Sequence, residues 1–234
     1  TTSTFYLDPD VESTSVDGNV GYENGATWGT AHDAADGNVG SDNGATASPQ
    51  SAAGASLYEL FRAFHLFDTS AIVDTDSIDS GTLSLWVNSL LDQDNDGNDF
   101  INIYATTPAS NTAITTADYD QIGTTTQATA IDITGITTGQ YTDWTLNAAG
   151  LASVSKTGVS KYGAREGHDA LNDPIGLTLN NRIIAAAADT AGTTNDPKLV
   201  IVHSTVAAKP KGIIIISFLK NLVPFANAQF PILP

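Results

Sequence analysis

The stretch "SGTLSLWVNSLL" (residues 80–91) carries a clear strand signal. Leu83, Leu85 and Val87 recur at every second position, which places their side chains on one face of an extended strand. A strand with this period-2 pattern buries one face in a core. We therefore predict a β-strand over 80–91 and expect other strands to cover it.

Similar short runs, separated by turn residues, recur through residues 1–205. The other predicted strands are 2–7, 57–68, 99–107, 127–134, 141–147, 176–188 and 197–204, and a short helix is predicted over 148–158. Thr contributes 30 residues, and its β-branched side chain favours strands over helices. Many short strands at this spacing predict an all-β protein, a jelly-roll-like antiparallel β-sandwich with an extended hydrophobic C-terminal strand.

The charge of the chain excludes several classes of partner. Asp and Glu number 26 against 9 Lys and Arg, which gives a net charge of −17 at pH 7. Such a surface disfavours nucleic acid, whose phosphates require basic contacts, and it disfavours anionic membranes. The chain has no Cys, so thiol chemistry and disulfides are excluded. We expect an extracellular or cell-surface location and no enzyme activity.

An internal repeat lies near the start of the chain. "DGNVGYENGAT" (17–27) recurs as "DGNVGSDNGAT" (36–46), with nine of eleven positions identical. Asp-Gly and Asn-Gly are strong turn signals, so the repeat predicts two similar β-turns. The alternative is a pair of equivalent oxygen-rich loops that bind cations or a partner.

Four motifs occur in a characteristic order along residues 1–205. They are Arg62 with Phe67-Asp68, then Leu83-Ser84-Leu85, then Trp144, and finally Pro197-Lys198-Leu199-Val200. This order resembles the DNRLRE-type modules, β-sandwiches related to the disaggregatase repeat. The resemblance implies a secreted or cell-surface module, some members of which bind polysaccharide. The chain departs from the family pattern at Ala185–Ala188, where members often carry a Ser-Arg-Glu cluster.

The stretch "DQDNDGNDF" (92–100) is the best candidate for a metal site. Asp92, Asp94, Asp96 and Asp99 offer hard oxygen ligands, and Gly97 permits a sharp turn. The EF-hand pattern fails because Ile103 stands where the bidentate Glu belongs. We predict a calcium-binding hairpin loop between two strands. The alternative is a solvated turn, since Asp and Asn are ordinary turn residues.

Two further groups of residues admit a functional and a structural interpretation. "REGHD" (165–169) could serve acid–base chemistry, but pairing of Arg165 with a carboxylate is the favoured interpretation. Trp28 follows the first repeat and is predicted to be exposed, as a possible sugar-stacking platform. Trp86 and Trp144 lie in core-like strands and are predicted to be packed.

The C-terminal segment differs sharply from the remainder of the chain. Residues 1–205 carry all 26 acids, whereas 206–234 carry three Lys and no acid. We therefore predict a β-sandwich domain over 1–205 and a hydrophobic tail over 206–234. The apolar run from 213 to 219 is shorter than the roughly 20 residues of a membrane-spanning helix, so no transmembrane segment is expected.

The tail has two remaining interpretations, a strand of its own domain or a strand given to a neighbour. "GIIIISFL" (212–219) has high β-propensity, and it is apolar on both faces, so both faces require burial. The predicted assembly residues are Ile213, Ile214, Ile215, Ile216, Phe218 and Leu219. The sequence thus predicts an extracellular structural protein whose identical subunits form a filament or tube by inserting this strand into a neighbour. The alternative is a carbohydrate-binding module.

Overall fold

Antiparallel strands make up most of the computed structural model, which describes residues 1–189 and 192–206. The strands are β1 (Thr2–Tyr6), β2 (Val16–Gly25), β3 (Val39–Ser41), β4 (Thr46–Ala47), β5 (Gln50–Ala53), β6 (Tyr58–Asp68), β7 (Asp76–Asp92), β8 (Phe100–Thr106), β9 (Ile122–Thr126), β10 (Ile131–Asp132), β11 (Gln140–Thr145), β12 (Val159–Glu166), β13 (Asn180–Ala186) and β14 (Lys198–Thr205). The predicted all-β antiparallel sandwich is confirmed.

The helices of the described residues are short. They are α1 (Trp28–His32), α2 (Ala148–Ala152) and α3 (Gly167–Leu171), with 3₁₀ turns at Thr116–Gln121 and Ile133–Gly135. Within 1–189 and 192–206, no helix has the length and apolar character needed to cross a bilayer. The helix predicted over 148–158 is limited to α2, because the following residues lead into β12.

The strands form two layers that are joined at one side. One layer has the order β1-β14-β7, with β11 on the other edge of β7. The second layer has the order β6-β12-β8, with β2 beside β6 and both β9 and β10 beside β8. β13 pairs with β7 and with β5, and β5 pairs with β6, so these two strands connect the layers.

The main hydrophobic core lies between the layers. Leu83, Leu85 and Val87 of β7 are fully buried there, as their period-2 spacing predicts. Trp144 of β11 crosses the core, and its indole N–H donates to the carbonyl of Ile101 in β8 at 3.1 Å. The two layers are thereby tied by apolar burial and by a buried hydrogen bond.

A second core covers the outer face of the β6 layer, so β6 is buried on both faces. Ala63 and Phe67 of β6 face the main core, whereas Phe64 and Leu66 face α1 and the 3₁₀ turn at 116–121. A strand buried on both sides reads as a nearly continuous apolar run instead of a strict alternation. This explains the imperfect alternation of residues 57–68.

The internal repeat forms a strand pair, so the prediction of two similar turns is wrong. In the first copy, Asn19, Val20 and Gly21 lie in β2 and pair with Ser41, Gly40 and Val39 of the second copy. Glycine is needed here for close packing, not for a turn. A Cβ at position 21 would lie 2.4 Å from the ring of Phe61.

Two other predicted strands are shorter than expected. The prediction over 176–188 yields β13 only from Asn180, since Thr178 has a positive φ of 67° that interrupts an extended strand. The prediction over 127–134 yields β10 and a 3₁₀ turn. The predicted assembly strand, with Ile213, Ile214, Ile215, Ile216, Phe218 and Leu219, lies outside the described residues.

Candidate metal-binding loop

The acidic loop runs from the end of β7 to the start of β8, which begins at Phe100. These two strands belong to different layers and do not pair with each other. The loop therefore crosses the open end of the sandwich and is not a hairpin loop, contrary to the prediction. The expected position between two strands is otherwise correct.

The four aspartates of the loop divide into two groups. Asp92 and Asp99 approach Asp132, whereas Asp94 and Asp96 approach His168. In each group, potential ligand atoms from all three residues lie within 4.8 Å of one another. The single four-carboxylate site expected from the sequence is therefore replaced by two three-residue clusters on the same loop.

We call Asp92, Asp99 and Asp132 the oxygen cluster. Asp99 is 2% exposed, and its Oδ1 accepts a hydrogen bond from the backbone N–H of Gly97 at 2.9 Å. Its Oδ2 is buried and has no hydrogen-bond partner among the described residues. One carboxylate oxygen of Asp92 is likewise buried without a hydrogen-bond partner among the described residues. Buried polar atoms are normally satisfied, so these orphan oxygens identify a position suited to a cation.

The backbone brings Asp132 to this cluster. β10 pairs with β8 so that Asp132 lies opposite Phe100, next to Asp99. The N–H of Ile133 donates to the carbonyl of Asp99 at 2.9 Å and fixes this register. Burial raises the pKa of Asp92 above its usual range, and the nearby charges of Asp99 and Asp132 raise it further. The cluster thus holds mutually repelling carboxylates.

We call Asp94, Asp96 and His168 the histidine cluster. His168 follows Gly167, the first residue of α3, and its side chain is fully buried. Its Nε2 lies 3.7 Å from Asp94 Oδ2 and 3.7 Å from Asp96 Oδ1. Its Nδ1 lies 3.0 Å from Glu166 Oε1. Burial lowers the pKa of His168, but the carboxylates of Glu166, Asp96 and Asp94 together outweigh that effect, so the net shift is upward.

Neighbouring segments fix the loop against α3 and β13. The side chain of Asn181 in β13 accepts hydrogen bonds from the N–H groups of Gln93, at 2.8 Å, and Asp94, at 3.1 Å. Asn98 donates to Asp173 just beyond α3 at 2.7 Å. A Cβ at Gly167 would collide with the carbonyl of Asn98, so only glycine permits this close approach of loop and helix.

A buried ionic network anchors the other side of α3. The Asp169 carboxylate is fully buried and accepts hydrogen bonds from the guanidinium groups of Arg62 and Arg165. Burial opposes ionisation of Asp169, but the two arginines hold its pKa far below the usual range. The favoured structural interpretation of Arg165 agrees with this geometry. Asp169 therefore belongs to the ionic network, and the residue before it, His168, belongs to the histidine cluster.

Of the three tryptophans, one is placed as predicted and two are not. Trp28 is only 7% exposed, donates its indole N–H to Asn172 at 2.8 Å and stacks on His32, so the expectation of an exposed platform is wrong. Trp28 is the first residue of α1, and its side chain points inward from the helix. Trp144 is packed as expected. Trp86 is half-buried and makes an edge-to-face pair with Tyr141 at 5.3 Å between ring centroids.

The sequence pointed to the aspartates but missed the roles of Asp132 and His168. Asp132 lies 33 positions beyond Asp99, and its approach depends on the pairing of β10 with β8. His168 lies within "REGHD", and nothing in that motif links it to the acidic loop. Comparison of the chain with protein-family models and with curated proteins finds no match. The resemblance to DNRLRE-type modules therefore stays a hypothesis.

Proposed function

We propose that this protein is an extracellular structural subunit whose sandwich is braced by a calcium ion at the oxygen cluster. The observation that carries the proposal is the buried, unpartnered Oδ2 of Asp99, which faces two further carboxylates. Calcium takes oxygen ligands only and tolerates irregular geometry. Bound there, it would join the end of β7, the start of β8 and the β10 edge.

Isothermal titration of calcium into chelator-treated full-length protein tests the bracing ion. Wild type is expected to bind calcium and to melt at a higher temperature when calcium is present. Asp132→Asn removes an exposed ligand and should weaken both effects, whereas Asp143→Asn, an equal change of charge on β11, should leave both intact. Absence of heat and of any melting shift in wild type would refute calcium binding.

We further propose that the subunits polymerise by lending residues 212–234 to a neighbour. β14 already pairs with β1 on one side and β7 on the other, so a following strand cannot extend the sheet beside β14. It must pair at another edge, and an edge on a second molecule is one that an extended segment can reach. The acidic body, with its excess of 20 negative charges, would attract the basic tail.

Negative-stain microscopy of full-length protein beside a 1–205 truncation tests this assembly. Fibres from the full-length protein alone are the expected result, with both proteins soluble and the truncation folded. An unfolded truncation would assign the tail to its own domain. Monodisperse particles from both proteins, with and without calcium, would also reject the polymer.

A carbohydrate-binding module is the second candidate, favoured by an aromatic group on the outer face of the β1-β14-β7-β11 layer. Trp86 and Tyr141 are cross-strand partners there, and Lys198 Nζ lies 3.8 Å from the Tyr141 ring centroid. Tyr6, the cross-strand partner of Lys198, is 39% exposed. Aromatic rings on a flat sheet face offer apolar area with polar groups beside it, which suits a sugar.

A polysaccharide binding assay with Trp86→Ala tests this candidate. Binding by wild type that is lost in this variant, but kept in Val73→Ala, would support it, because Val73 is an exposed apolar residue in the loop between β6 and β7. Equal binding by both variants would reject the aromatic group. Trp28→Ala is unsuitable, because removal of this buried ring would report on folding.

A further inference from the structure

The histidine cluster has features that a solvated acidic turn does not share. It brings an imidazole nitrogen from α3 and two carboxylates from the acidic loop to within 4.8 Å of one another. The imidazole belongs to His168, whose side chain is fully buried, and the carboxylates of Asp94 and Asp96 are 20% and 44% exposed. The cluster is therefore closed on the histidine side and open to solvent beside Asp96.

The Nε2 atom of His168 is the unexplained feature of this cluster. It is buried and has no hydrogen-bond partner among the described residues. If Nε2 carries a proton, its distance of 3.7 Å to each carboxylate is too long for a hydrogen bond. If it does not, its lone pair faces two anionic groups. A cation placed between the three ligand atoms resolves both conflicts.

The other ring nitrogen of His168 is held as in metal-binding histidines. Nδ1 lies 3.0 Å from Glu166 Oε1, and an ionised carboxylate can only accept a hydrogen bond. When Glu166 is ionised and the ring is neutral, Nδ1 therefore carries the proton, and the Nε2 lone pair is directed at the aspartates. A carboxylate behind the ligating histidine orients the ring and raises its basicity.

The spacing of the ligand atoms suits a small divalent ion. Metal–ligand bonds of roughly 2.1 Å at tetrahedral angles place two ligand atoms about 3.4 Å apart. The observed 3.7 Å from Nε2 to each carboxylate oxygen requires an inward shift of only a few tenths of an ångström, and the two carboxylate oxygens lie within 4.8 Å of each other. Two interactions hold Asp94 and His168 near these positions. Asp94 Oδ2 accepts a hydrogen bond from Gly176 N–H at 2.9 Å, and Glu166 accepts one from His168.

We propose that Asp94, Asp96 and His168 bind a first-row divalent transition metal, for which zinc is the probe, as a site distinct from the calcium site. Imidazole nitrogen is a good ligand for zinc and a poor one for calcium, which requires oxygen. Asp92, Asp99 and Asp132 supply oxygen only. The same loop would therefore bind two classes of cation, one through its inner aspartates, Asp94 and Asp96, and one through its outer aspartates, Asp92 and Asp99.

Zinc titration of chelator-treated full-length protein tests this site, with calorimetry for affinity and ¹⁵N NMR of the imidazole groups for location. Wild type is expected to bind zinc with a change in the Nε2 resonance of His168. Removal of a group that merely orients a ligand costs about 10–100-fold in metal affinity, so His168→Gln and Asp96→Asn should each cost at least as much. His203→Gln alters another buried histidine and should have no effect.

The two cation sites are separated by matched variants. Asp132→Asn should weaken calcium binding and leave zinc binding unchanged. Asp96→Asn should weaken zinc binding and leave calcium binding unchanged. Because Asp96 is partly exposed, the latter variant is expected to stay folded, which circular dichroism would verify. Zinc binding unchanged in both His168→Gln and Asp96→Asn would overturn the proposal, and so would folded wild type that binds no zinc.

Discussion

Replacement of Asp99 by asparagine should change the stability of the protein in opposite directions with and without calcium. The substitution keeps the size of the side chain and the oxygen that accepts from Gly97, but it removes one of three neighbouring charges. At the 4.8 Å limit, two unit charges repel by about 1 kcal/mol in water and by about 3.5 kcal/mol at an effective dielectric constant of 20. Asp132 is exposed, so the lower part of this range applies to its contribution.

We therefore expect Asp99→Asn to be more stable than wild type by about 1–3 kcal/mol in chelator. For a chain of this size, each kcal/mol corresponds to a rise of roughly 2–4 °C in melting temperature. In calcium at 1,000 times its dissociation constant, wild type should gain about 4.1 kcal/mol, and the variant should gain little. The order of the two melting temperatures should therefore reverse.

Denaturant unfolding and calorimetry, each performed in chelator and in calcium, measure this reversal. Asp143→Asn is the control for a general loss of negative charge. A variant that is less stable than wild type in chelator would show that the Asp99 charge stabilises the loop by itself. A variant that gains as much from calcium as wild type would remove Asp99 from the site. Either result would contradict the proposed role of Asp99.

Three further predictions concern groups outside the two clusters. Asp169→Asn should lower the free energy of unfolding by about 3–5 kcal/mol, measured with denaturant, because two buried guanidinium groups lose their shared counter-charge. A loss below about 1 kcal/mol would contradict the role of the ionic network. Since the native pKa of Asp169 is depressed, its contribution is present above about pH 4 and is lost as the pH falls through the native pKa, so acid unfolding should be less steep in this variant. His65→Leu should remove a different pH dependence. Burial lowers the pKa of His65 to about 3, so below about pH 6.5 the unfolded chain binds a proton that the folded chain does not, and wild type loses stability there. Parallel profiles of stability against pH for variant and wild type would contradict this account.

The fold was predictable because its strands carry their own signal. Leu83, Leu85 and Val87 mark the inner face of β7 by spacing alone, and no distant contact is needed to recognise them. The errors arose where distant contacts override local preference. Gly18 and Gly21 look like turn residues, yet they lie in β2, where the second repeat and Phe61 leave no room for side chains.

The candidate site was predictable only in part, for the same reason. Four acids in eight residues indicate a metal site, but they do not show which acids act together. The division follows from Asp132 on β10 and His168 on α3, which reach the loop through strand pairing and through the close approach at Gly167. The burial of Trp28 was not predictable either, since only the tertiary structure reveals that Asn172 and His32 enclose it.

The central position of β14 has a mechanical consequence for any load carried by the segment that follows it. β14 is held by five residue pairs with β1 and eight with β7, and both neighbours run antiparallel to it. A pull on residue 205 along the strand axis would slide β14 lengthwise between them, so the hydrogen bonds of both ladders would be strained together and not opened one at a time. At the same end, His203 Nδ1 lies 2.7 Å from Asp76 Oδ2, which links β14 to β7. Under tension, the attachment point of the tail is thus expected to be among the last parts of the sandwich to yield.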